Sequence, residues 1–151
     1  MAGQMPARAV KTWAIRAYDV VKLYPYLSPV QAYLLARVGV ASLFAIHALV
    51  RIVQGTIPNF AAFMESVGFP DGTVTVWAIT LAELGASAML AVGRSVRIAA
   101  FVLTAIAVGG IVFIHRHFGW FVGEHGTGGS EYSVALIILL IIVAAAEPQH
   151  R

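Results

Sequence analysis

No cysteine occurs among the 151 residues, which excludes disulfides, thiolate metal sites, Cys-ligated iron–sulfur clusters and dithiol redox relays. Charge is also scarce. Asp, Glu, Lys and Arg make up 11% of the chain, against roughly 25% in an ordinary soluble domain, and the length leaves no room for a separate soluble catalytic module. The ten basic residues give a formal charge of +3 and a pI near 9.6, yet they form no dense run and no nucleic-acid-binding fold signal accompanies them. Juxtamembrane anchoring accounts for them, and nucleic acid is not an expected partner. The N-terminus lacks the long apolar core and small-residue cleavage site of a signal peptide, so the first membrane helix is expected to act as the insertion signal.

What the chain has in abundance is apolar surface. It is 60% hydrophobic with a mean hydropathy of +0.83, concentrated in four stretches: Gln31 to Val53, Val74 to Gly93, Ile98 to Phe118 and Ser130 to Ala146. Each approaches the ~20 residues that cross a hydrocarbon core about 30 Å thick. The fourth is the shortest, so its ends, including Glu131, should be drawn to the edge of the hydrocarbon. Ahead of them, Val10, Trp13, Ala17, Val20, Val21 and Tyr24 recur at helical spacing opposite Thr12, Arg16, Asp19 and Lys22, the pattern of a helix lying in the membrane interface. Pro25 and Pro29 should break that helix and re-aim the chain. Between the first two spans, Ile57 to Pro70 reads as a short helix, with Pro58 at its start, Gly68 in the left-handed position after its end and Pro70 preventing continuation.

The expected fold is therefore an all-α membrane protein: a four-transmembrane-helix bundle with an N-terminal interfacial amphipathic helix and a short periplasmic loop helix. Its expected divisions are residues 1–30, 31–147 and a tail of 148–151. Seven Lys and Arg (Arg8, Lys11, Arg16, Lys22, Arg94, Arg97, Arg151) would fall on one side and only Arg51 and Arg116 on the other. This places both termini in the cytoplasm of a bacterial cell, with the protein in its inner membrane.

Ionisable groups inside the spans point to function, because a charged side chain at the bilayer centre costs roughly 2.5–3.5 kcal/mol even on the mildest insertion scale. On the first span Arg37, Phe44, His47, Arg51 and Gln54 share one stripe, and on the second Thr73, Thr80, Glu83, Ser87 and Arg94 do the same. Two polar stripes in lipid should face each other, with Glu83 beside His47 or an arginine. The functional reading is a proton-handling or quinone-binding pocket, since imidazole with an ordinary pKa of roughly 6.5 gives or takes a proton near neutrality. The same stripes fit an interhelical hydrogen-bond clamp without turnover, worth about 0.6–2 kcal/mol.

A second polar cluster, His115, His117, Glu124, His125 and Glu131, falls near the far ends of the third and fourth spans. Histidine and carboxylate suit transition metals, but His115 and His117 point about 200° apart on a helix and cannot share an ion unless the helix has already ended. A metal site is not expected. An interfacial polar cap, with Trp120 and Phe121 as anchors, or a His115 to Glu131 bridge is the expectation instead. Arg94 and Arg97 flank a very short turn and are expected to snorkel to lipid phosphate. Gly39, Ala41, Ser42, Gly85, Ala86, Ser87, Gly109 and Gly110 are small enough to permit close helix packing.

With these pieces in place the chain resembles the DoxX family over about Arg37 to Ala146. The resemblance rests on Arg37-Val38-Gly39; His47 and Arg51; Phe60, Phe63, Gly68 and Pro70; Glu83-Leu84-Gly85; Gly93-Arg94 with Arg97; His115; Gly119-Trp120-Phe121; Gly128-Gly129; and Glu131-Tyr132-Ser133. It implies a small inner-membrane bundle associated with respiratory or redox complexes, the family's name coming from a subunit of a thiosulfate:quinone oxidoreductase. The lack of any thiol sets this chain apart from related cysteine-bearing redox proteins, and the glycine and aspartate tail common in the family is absent from its last residues. The expected role is an accessory subunit of such a complex that contributes to a quinone or phospholipid pocket, with no redox centre and no covalently bound cofactor, and not catalytic alone. Membrane lipids and other membrane subunits or further copies of the chain are the expected partners. A proton-coupled small-solute transporter using Glu83 and His47, and an assembly factor without ligand, are the alternatives.

Overall fold

The computed structural model describes residues 22, 24, 26–122 and 128–148, and the chain divides into two compact units, 1–32 and 33–151. The expected interfacial helix before Leu27 lies almost wholly outside the described residues. Five α-helices follow: α1 Pro29–Val53, α2 Ile57–Ser66, α3 Gly72–Val92, α4 Val96–Phe113 and α5 Glu131–Ala146, with a 3₁₀ turn His115–Phe118 after α4. Among the described residues there is no strand, only an isolated antiparallel bridge between Val122 and Gly128. The helices α1, α3 and α4, of 25, 21 and 18 residues, are long and apolar enough to cross a membrane. At 16 residues α5 is equally apolar but shorter. Large apolar side chains cover the outward faces, among them Leu35, Ile46, Leu81, Phe101 and Ile142. Water would not tolerate so much contiguous apolar surface. Lipid does.

Local chemistry sets the helix ends. Pro29 starts α1 rather than merely ending what precedes it: Ser28 Oγ accepts from the Gln31 backbone N–H at 3.2 Å while Gln31 Oε1 accepts from the Ser28 N–H at 2.9 Å, a reciprocal capping box. In α2, Pro58 occupies the first turn, where its missing N–H costs nothing. The helix closes with Gly68 at φ +104°, the Gly68 N–H on Glu65 O and the Phe69 N–H on Met64 O, each at 3.0 Å. Asp71 Oδ1 caps α3 through the Val74 N–H at 2.9 Å, which moves its start two residues ahead of Val74. The third span ends earlier than its composition suggests. At Ile114 the last helical bond is made to Gly110 O, and the chain tightens into the 3₁₀ turn instead of continuing to Phe118.

One core joins Val40, Ala41 and Phe44 of α1 to Ala86 and Leu90 of α3, to Ala99, Ala100 and Leu103 of α4 and to Leu136, Leu140 and Val143 of α5. A smaller core of Ile57, Ala61 and Met64 with Val76 seats α2 on the start of α3. Phe69 meets Phe113 edge to face at 5.5 Å, tying the α2–α3 connection to the end of α4. The close-packing expectation separates by residue. Ala41, Ala86 and Ser87 are buried, whereas Gly39, Gly85 and Gly109 have nothing within 4 Å of where a Cβ would stand.

Candidate functional site

Where α1 and α3 face each other, Arg51 and Glu83 form an ion pair. Arg51 Nη2 donates to Glu83 Oε2 at 3.1 Å, and Nη1 donates to Thr80 Oγ1 at 2.7 Å. Thr80 lies one turn before Glu83 on the buried face of α3 and passes its own hydrogen to Val76 O at 2.7 Å. The guanidinium carbon also lies 5.3 Å from the centre of the Phe60 ring of α2, within cation–π range. The Arg51 side chain retains 10% exposure and that of Glu83 only 1%. The charge is balanced within the pair.

Of the two partners open to Glu83, Arg51 takes it and His47 does not. Three residues at about 100° each set His47 about 60° round the helix from Phe44. That is just past the arc of Val40, Ala41, Phe44 and Ala48, so the imidazole is exposed. It remains within charge range of Arg51 and His115.

Arg37 sits at the opposite end of α1. Its Nη2 reaches Ala91 O at 3.5 Å near the end of α3, and its guanidinium lies 5.4 Å from the centre of the Tyr33 ring. Tyr33 in turn donates its hydroxyl to the Glu147 carboxylate just beyond α5. Two polar atoms at this α1–α3 seam, Arg37 Nε and Ser87 Oγ, are buried without a hydrogen-bond partner among the described residues. Tyr33 and Glu147 belong to this cluster around Arg37, and the sequence does not announce them. No local spacing marks them, although a lone carboxylate directly after an apolar span is a signal in principle.

The second cluster disperses. His115 Nδ1 lies 3.3 Å from Gly128 O, Glu131 Oε1 accepts from the Val122 N–H at 2.9 Å, and Arg116 Nε donates to His117 Nε2 at 3.4 Å. His115 and Glu131 thus each tether the Gly119–Gly129 connection rather than bridge to each other. Glu124 and His125 lie outside the described residues, and among the described residues no three His, Asp or Glu side chains gather as a metal site. Arg94 is exposed, and Arg97 Nη2 reaches Glu147 O at 3.5 Å.

The apolar helices and the ion pair held between them define a multi-pass membrane protein with a charged centre inside its fold. The family model of DoxX matches residues 32–116, more than half of the chain, and the chain belongs to the DoxX family. Comparisons with curated proteins and with solved structures give no significant match.

Proposed function

We propose that the protein is an accessory subunit of a quinone-linked respiratory or redox complex in a bacterial inner membrane, where its Arg51–Glu83 centre lines a quinone pocket without carrying electrons itself. In this reading four helices span the membrane, α5 at the expense of local thinning, and both termini are cytoplasmic. The buried Arg51–Glu83 pair carries the proposal. A charge pair inside a span is costly to keep and marks function by default, and membership of a family associated with quinone-linked complexes narrows which function.

The chemistry of the centre fits a neutral acceptor. Arg51 is neutralised by Glu83, so an anion gains little there, but a guanidinium N–H left over from the Glu83 and Thr80 bonds can donate to a quinone carbonyl and steady the negative charge that builds on its oxygen during reduction. Phe60 supplies an aromatic wall beside it. His47, exposed on the same helix, is the group able to exchange a proton with the ring oxygen. A bound quinone would accept or release the electrons, and the carrier that exchanges them belongs to a partner subunit. Transport is less well supported: a relay from Glu83 to His47 needs the carboxylate turned toward the imidazole, and it is turned to Arg51.

The test is purification in mild detergent, followed by quinone extraction and mass spectrometry of co-purifying subunits. The expected result is bound quinone and a partner subunit, with quinone lost from an R51M/E83L variant that keeps its helix content. If neither accompanies the protein and E83Q changes only thermal stability, the chain is an assembly factor. Proteoliposome flux abolished by E83Q would establish transport instead.

A further inference from the structure

The turn from α3 to α4 is tight. Gly93 adopts φ +76° and Ser95 φ +50°, and the turn sets Arg94 just before α4 and Arg97 in its first turn, where no acidic residue accompanies it. Among the described residues the ion pair is Arg51–Glu83, so neither of these arginines has a carboxylate partner. The acid at this end, Glu147, gives its side chain to Tyr33 and offers Arg97 only its backbone carbonyl at the long distance of 3.5 Å. Among the described residues, this is the one hydrogen bond of the Arg97 fork.

From Arg97 an open groove of about 550 Å³ runs between α4 and α5 as far as Thr104. That is seven residues, or about 10 Å of helix. Ala100 and Leu140 are buried beneath it, Ala144 leaves it unfilled, and exposed Phe101 and Ile141 form its edges. The groove joins an apolar channel in the lipid-facing surface to a guanidinium that has no carboxylate partner among the described residues, and that combination matches one chemistry.

We infer that the α4–α5 groove binds an anionic phospholipid, its phosphate on Arg97 and one acyl chain along Ala100, Leu140 and Ala144. The planar guanidinium presents paired donors to phosphate oxygens. A neutral quinone in the groove would leave that charge unanswered. The inference does not rest on the reading of the Arg51–Glu83 centre.

Native mass spectrometry of the full chain, delipidated in mild detergent and titrated with dioleoyl phosphatidylglycerol or dioleoyl phosphatidylcholine, tests it. The glycerol lipid is expected to bind about fivefold more tightly, the ratio that one arginine near an anionic headgroup supplies. R97Q should reduce it to the choline lipid's level and R97K should retain most of the preference. Filling the groove by A144W, or by A145W at an exposed position should the first variant destabilise the fold, should weaken both lipids. Excess inorganic phosphate should not compete. Equal binding of the two lipids, or a preference untouched by R97Q, overturns the inference. So does competition by phosphate, which would indicate a free-anion site, or a dimer that disappears in A145W, which would give the groove to a second copy.

Discussion

Tyr33 donates its hydroxyl to the carboxylate of Glu147, a residue 114 positions further along the chain, and so joins the beginning of α1 to the end of α5. The acceptor is ionic and the contact is partly buried, which places its worth in the ~1.5–3 kcal/mol range of hydrogen bonds to charged groups. Y33F and E147Q are each expected to lower the thermal midpoint in detergent by a few degrees, and the double variant by no more than the larger single effect. Additive losses would mean that the two side chains act independently.

Arg51 and Glu83 should behave as a unit. Removing one member of a buried pair strands the other, at a cost of about 3–5 kcal/mol. With Arg51 partly exposed, the lower end applies. E83Q and R51M are each expected to reduce the yield of folded protein and its resistance to heat, while the apolar replacement R51M/E83L recovers much of that stability. A double variant no more stable than the singles would show that the pair does more than neutralise itself.

Gly93 and Gly39 give opposite predictions for the same substitution. At Gly93 the backbone is left-handed, and a Cβ would overlap the guanidinium of Arg37. G93A should therefore destabilise by more than ~1 kcal/mol. Gly39 lies inside α1 with open space around it, so G39A should stabilise by roughly 0.5–1 kcal/mol through helix propensity. Paired melting curves decide both.

The two histidines nearest the centre differ in the same way. His115 holds Gly128 O, so H115A should speed proteolysis or hydrogen exchange in the Gly119–Gly129 connection. His47 makes no hydrogen bond among the described residues, and H47A should leave the melting curve unchanged while weakening quinone binding. A melting curve shifted by H47A would show that the imidazole is a structural group.

Most of the helices were legible because their causes are local. Pro58 and Gly68 bound α2 through backbone constraints acting within a few residues, and the apolar stretches located α1, α3, α4 and α5 to within a few positions. The end of α4 was not legible, since no proline or glycine stands between Ile114 and Phe118 to mark a stop. By spacing the stripe Arg37, Phe44, His47, Arg51 is a single face, but a helix buries an arc whose edge depends on its neighbours. His47 falls just beyond that edge.

By itself the sequence determined that lipid surrounds these helices and that Glu83, placed within an apolar span, needs a polar companion, because hydropathy and desolvation are properties of the residues themselves. Only the tertiary structure decided that the companion is Arg51, that Thr80 and Phe60 complete the centre, and that Tyr33 finds Glu147. Those choices depend on the rotation and height of each helix about its own axis. Packing among Val40, Phe44, Leu90, Leu103 and Leu140 sets both, and no rule that reaches four residues along the chain contains them.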